Sequence, residues 1–148
     1  MEKTCEYALS IKQPWAALIV QGIKSIEVRA WPTARRGLVY IHAARIADDR
    51  PHGWKLVPEE AKDLANLAGG LIGMAEVIDC VTYETRAEFV RDEELHRNDP
   101  SWFTGSKLYG FRFAKPEIVP FRAFPGWMRF FSVNVAPPPR KKNATIDV

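Results

Sequence analysis

One stretch near the start of the chain constrains the fold more than any other: Ser10-Ile-Lys-Gln-Pro-Trp-Ala-Ala-Leu-Ile-Val-Gln-Gly-Ile-Lys-Ser-Ile-Glu-Val-Arg29. It reads as a strand end, a short apolar helix, a glycine stop and a second strand. Pro14 suits the first helical turn, where a missing N–H costs nothing. Trp15, Leu18 and Ile19 recur at helical spacing and are expected to face a core. Gly22 stands where a helix C-terminus favours a left-handed residue. On the strand that follows, Ile26 and Val28 point one way and Ser25, Glu27 and Arg29 the other, with Lys24 at its mouth.

The rest of the chain supplies more short strands. The first is Tyr7–Ile11; Gly37–Ala43 is the clearest, being rich in β-branched and aromatic residues. Residues 71–81, 108–113 and 130–135 read as three more. Pro58–Ala68 opens on proline and acids and closes on Gly69-Gly70, so it reads as a helix. Thr85-Arg-Ala-Glu88 is a capping-box pattern that starts another helix, running toward His96. The order β, α, β, β, α, β, α, β, β has no regular βαβ rhythm and suits a small closed or partly closed barrel. The expected fold is therefore α+β, a barrel of about five or six strands with short flanking helices. A domain over residues 1–136 is expected, followed by a disordered basic tail over 137–148 that opens on three prolines.

Charge and cysteine usage narrow the function classes. The net charge of +3 is unevenly placed: residues 21–57 carry +4, residues 58–100 carry −7 and residues 101–136 carry +4. If the two basic segments fold together, they make a face suited to an anionic partner; scatter over a solvated surface is the alternative. Cys5 and Cys80 offer neither a disulfide framework nor metal spacing, and with three scattered histidines no metal site is expected. Reduced thiols, a start without an apolar leader and the lack of any run near the ~20 apolar residues of a membrane span read as a cytoplasmic protein without a membrane partner. No P-loop, dinucleotide fingerprint or nucleophile elbow is present, and no cofactor is expected.

Gly22-Ile-Lys24-Ser-Ile-Glu27-Val-Arg29 matches the G-x-K-x-x-E-x-R signature of the ASCH domain, and Ser10-x-x-Gln13-Pro14-Trp15 resembles the segment that leads into it. The resemblance implies a PUA-like barrel with a cleft that takes RNA or a nucleotide-like ligand. It also raises two hydrolase chemistries found within the family, acetylcytidine amidohydrolysis and RNA cleavage. The amidohydrolase branch has a threonine where this chain has Glu27, a departure that weakens that transfer.

The candidate ligand-binding residues are Ser10, Gln13, Trp15, Lys24, Glu27, Arg29, His42, Trp127 and Arg129. Lys24 and Glu27 would also be the catalytic pair of a hydrolase. Lys24 can act as a cation or, if its pKa falls, as a base. Glu27 can accept from an exocyclic amine, and Arg29 suits phosphate. From spacing alone, the three also fit a surface ion pair on a solvated strand. Trp15 can stack on a base or pack in the core, and His42 can act as a general base, contact a nucleobase or form a hydrogen-bonded wall of the core. Phe121–Phe130, with Pro125 and Gly126, resembles the family's loop before the last strand. Its Trp127 and Arg129 would close one side of the cleft, or anchor the final strand. Glu76, mid-strand among apolar residues, must point outward, be paired or carry a raised pKa. A binding domain for RNA or a modified nucleoside and a small nucleoside or RNA hydrolase are the two leading readings, with a protein-interaction domain as a third.

Overall fold

The computed structural model describes residues 5–133; the expected tail over 137–148 lies outside them. Six strands form one mixed sheet: β1 (Tyr7–Ile11), β2 (Ile26–Arg29), β3 (Gly37–Ala43), β4 (Gly70–Tyr83), β5 (Leu108–Ala123) and β6 (Phe130–Ser132). Their order is β2-β5-β4-β3-β1-β6, with β1 parallel to β3 and every other pairing antiparallel. No ladder joins the edge strands β2 and β6 among the described residues. Aromatic packing brings them together instead: Trp31, just past β2, meets Phe111 of β5 and Phe130 of β6 edge-on, with centroids 5.0 and 6.0 Å away. The architecture is α+β and barrel-like, with an open seam.

Curvature comes from the two long strands. β4 and β5 pair over most of their length, with register shifts at Leu71/Gly73, Met74/Glu76 and Val77/Asp79. Each shift inserts residues on one side, which bends and twists the pair. The expected strand over 108–113 continues to Ala123, because Pro116 and Pro120 fall opposite two of these shifts, where a missing N–H breaks no ladder bond.

The short helix α1 (Trp15–Val20) lies in the core that the sheet wraps, and all six of its residues are buried. A helix this apolar is stable only when enclosed. Its end is held from outside: the Gln13 amide oxygen accepts from Ala17 N–H at 3.0 Å, while its Nε2 donates to the Leu64 and Leu67 carbonyls. Gly22 closes the helix at φ 79°, the left-handed geometry that favours glycine. The remaining helical segments are short: α2 (Pro51–Trp54), α3 (Lys62–Ala65), α4 (Arg86–Arg91) and α5 (Glu93–His96). The predicted capping box is present at the start of α4, where Thr85 and Glu88 exchange side-chain and backbone hydrogen bonds. The single helix expected over Pro58–Ala68 is instead a 3-10 turn, Glu59–Ala61, followed by α3. No helix among the described residues is long and apolar enough to cross a membrane.

Candidate functional site

The turn after α1 sets the floor of the site. Ile23 and Lys24 both donate their N–H to the Leu18 carbonyl, and Ser25 N–H binds the Leu95 carbonyl of α5. Lys24 is thereby fixed between α1 and α5, with its side chain fully buried. Its ammonium donates to the His96 carbonyl at 2.6 Å and to Asn98 Oδ1 at 3.2 Å, and lies 3.7 Å from Glu27 Oε1. It also sits 4.8 Å from the centre of the Trp15 ring. Burial pushes its pKa down to about 8; the Glu27 carboxylate opposes this and Arg29 adds to it.

Glu27 is buried and held from two sides. Lys24 faces one oxygen, and Arg29 Nε donates to the other at 2.9 Å. Arg29 then spans to β1, donating from Nη2 to the Ser10 carbonyl at 2.8 Å. The expected alternation on β2 is kept in part: Ile26 is buried, while Val28 is half-buried against the Tyr83–Phe89–Phe103 cluster.

These residues open onto a cleft of about 460 Å³, within the range of small-ligand sites. Of the nine sequence candidates, Ser10, Trp15, Lys24, Glu27, Arg29, Trp127 and Arg129 line it. Trp15 is 6% exposed, and its ring is already engaged by Lys24, His52 and Trp102, so it is a wall with little face to offer. Trp127, 46% exposed, is the open aromatic surface at the rim.

Gln13 and His42 are not among the lining residues. Gln13 is spent on capping α1 and tethering the segment around α3. His42 is buried, and its Nε2 meets the Phe124 carbonyl at 2.6 Å. A carbonyl only accepts, so that nitrogen carries a proton. Nδ1 lies 2.9 Å from the Ser10 hydroxyl, so His42 fixes Ser10 from behind the cleft wall. Glu76 is also elsewhere, 3.6 Å from Lys115 on the partly exposed face of β4.

The sequence reading missed one side of the cleft, formed by Asp48, Arg50, Asn98 and Trp102. Asp48 accepts from Trp15 Nε1 at 2.8 Å and from Arg50 through both oxygens. Those donors hold its carboxyl well below the usual range. Arg50 in turn covers the Trp102 ring at 3.7 Å. Asp48, Asp49 and Arg50 are adjacent in the sequence, but nothing local ties them to Trp15. Among the described residues, no group of histidine, cysteine and carboxylate side chains is arranged to hold a metal ion.

The site thus combines a buried cation and carboxylate on its floor, arginines on two sides and indoles in its walls. Comparison with known proteins bears on the same region. The ASCH domain family model matches residues 9–122. Activating signal cointegrator 1 of Homo sapiens is 30% identical over 105 residues, which cover 66% of this chain and 18% of that protein. Its Mus musculus counterpart is 32% identical over 92 residues, covering 51% and 14%. The chain therefore spans less than a fifth of the curated relatives it matches. Among solved structures, the ASCH protein of Zymomonas mobilis superposes with a TM-score of 0.62 at 15% identity, over 86% of this chain and 87% of that one. A mutant of that protein gives 0.57 at 17% identity, over 79% and 74%. At such identities the likeness is one of fold.

Proposed function

The chain belongs to the ASCH domain family, and from that premise we propose that it is a binding domain for single-stranded RNA or a nucleotide-like ligand, held in the cleft around Lys24 and Glu27. One observation carries this reading: a buried cation and carboxylate share the cleft floor, while arginines and an exposed indole share its rim. The parts suit the parts of a nucleotide. Glu27 can accept from amine or imine hydrogens on a base edge. Arg29 and Arg129 can take phosphate oxygens, and Trp127 can stack on a base.

The second reading is a hydrolase of nucleoside amides or RNA, with Lys24 as base and Glu27 relaying protons. It is favoured by the lowered pKa of Lys24, about 8, which brings a neutral amine within reach of mildly alkaline conditions. Against it stands the geometry of the ammonium. It donates to the His96 carbonyl and Asn98 Oδ1 and is paired with Glu27 Oε1 at 3.7 Å. A lysine so engaged presents charge to a ligand and has no lone pair to offer until it is both deprotonated and freed.

The test uses wild type, Lys24→Arg and Glu27→Gln, with N4-acetylcytidine and a short RNA as probes, measuring affinity and turnover separately. Binding without turnover, weakened by Glu27→Gln and largely kept in Lys24→Arg, is the expected result. Turnover by wild type that is abolished in Lys24→Arg with affinity intact would establish the hydrolase instead, because a guanidinium does not deprotonate. Failure of wild type to bind either probe would remove both readings.

A further inference from the structure

A second concavity, of about 470 Å³, adjoins the cleft and is lined by residues 31–36 together with Arg129 and Phe130. Arg129 lines both spaces. Its guanidinium lies 4.8 Å from the centre of the Trp31 ring, and that of Arg29, a cleft residue, lies 6.0 Å from the same ring. Arg35 lies over Tyr7 at 3.9 Å and near Phe130 at 5.2 Å. Among the described residues, three arginines and no carboxylate line the groove. Among the described residues Arg36 alone of these three reaches an acid, Asp79 at 3.9 Å, with both side chains about half exposed. Arg36 also donates to the Thr33 and Arg35 carbonyls, which shapes the loop.

From this arrangement we infer that the cleft continues into a second nucleotide subsite, so that the ligand is a single-stranded oligonucleotide whose backbone crosses Arg129, with neighbouring nucleotides in the cleft and in the groove of Trp31, Arg35 and Arg36. The inference rests on the nucleotide reading of the cleft and extends it from one nucleotide to a strand. Cationic grooves interleaved with aromatic rings suit single strands because they track phosphates and accept any base face. Arginines already stacked on rings keep their in-plane N–H groups available for phosphate oxygens. Among the described residues the groove holds no carboxylate that would repel the backbone, and Arg129 lines both the groove and the cleft. An acidic peptide would meet the same charge, but it has no flat bases for the rings and is the competing outcome in the test.

The experiment measures dissociation constants for the four nucleoside 5′-monophosphates and for the tetranucleotide of the best-binding base, at two salt concentrations. Wild type is compared with Arg36→Ala, Ala34→Glu and Lys24→Gln. Ala34 is exposed beside the arginines, so Ala34→Glu adds a negative charge to the groove at a surface position; thermal melts check that each variant folds. The tetranucleotide is expected to bind at least about tenfold tighter than the mononucleotide, as a second linked contact gives. Arg36→Ala and Ala34→Glu should remove most of that gain while the mononucleotide constant changes less than about twofold. Losing the Arg36 phosphate contact should also flatten the salt slope by about 0.7. Equal affinity for mononucleotide and tetranucleotide, or a gain untouched by either groove variant, would overturn the second subsite alone. Mononucleotide binding unaffected by Lys24→Gln would instead overturn the cleft reading on which it rests. Hexaglutamate displacing the tetranucleotide at comparable concentration would show a general acidic-ligand surface and overturn the strand assignment.

Discussion

Lys24 gives the sharpest stability prediction, because its charge is buried at a cost that pH can remove. In the folded chain its pKa is about 8, against an ordinary value of 10.5. Below pH 8 both folded and unfolded chains hold the proton, and the burial cost is fully present. Between 8 and 10.5 the unfolded chain binds more protons than the folded one, so stability rises with pH. From pH 7.5 to 9.5 the gain works out at about 2 kcal/mol. With a urea slope of about 2 kcal/mol per molar, the unfolding midpoint moves up by about 1 M. Burial raises the pKa values of Cys5 and Tyr83, so these groups act in the opposite direction at high pH. The measurement is therefore a difference: urea melts of wild type and Lys24→Met across this range, one profile subtracted from the other. The difference should climb toward alkaline pH. A flat or falling difference would mean that the ammonium is adequately solvated by its acceptors, and the account of a strained buried charge would be wrong.

Three further outcomes follow from named contacts. Trp127→Ala should weaken single-stranded RNA binding by about 1–3 kcal/mol with little change in the urea midpoint, since the residue is about half exposed; titration and melts read the two effects separately. Gly53→Ala should lower both the melting temperature and nucleotide affinity, because a Cβ there would stand 2.7 Å from Trp15 Cζ2 and 3.0 Å from Pro14 Cγ, an overpacking cost of about 1–3 kcal/mol. Asp48→Ala should cost about 1.5–3 kcal/mol at neutral pH through lost charged hydrogen bonds. Its donors hold the Asp48 carboxyl below its ordinary value, so the wild type loses this contribution as pH falls below about 4, and acid melts of the variant should be flatter there.

What could be seen in the sequence was what is local. Lys24, Glu27 and Arg29 lie within six residues, with Glu27 and Arg29 on β2 and Lys24 just before it, as expected. Gly22 and the Thr85–Glu88 box depend only on neighbouring backbone, and both are found where expected. The second half of β5 was hidden because prolines read as strand breakers, and only the pairing with β4 reveals that they coincide with its bulges. Asp48 and Asn98 were hidden for a different reason. Their partners, Trp15 and Lys24, are 33 and 74 positions away, and no period or spacing encodes such a contact. These distant residues change the meaning of the motif. On a solvated strand, Lys24 would be a mobile point charge facing a carboxylate. In the folded chain it is enclosed by α5, donating to the His96 carbonyl and Asn98 Oδ1 and paired with Glu27. A proton acceptor needs a lone pair turned toward its substrate, whereas an electrostatic anchor needs only a fixed charge. The loops that the sequence did not disclose therefore suit the same lysine better to an anchor than to a base, which supports the proposed binding role of the cleft.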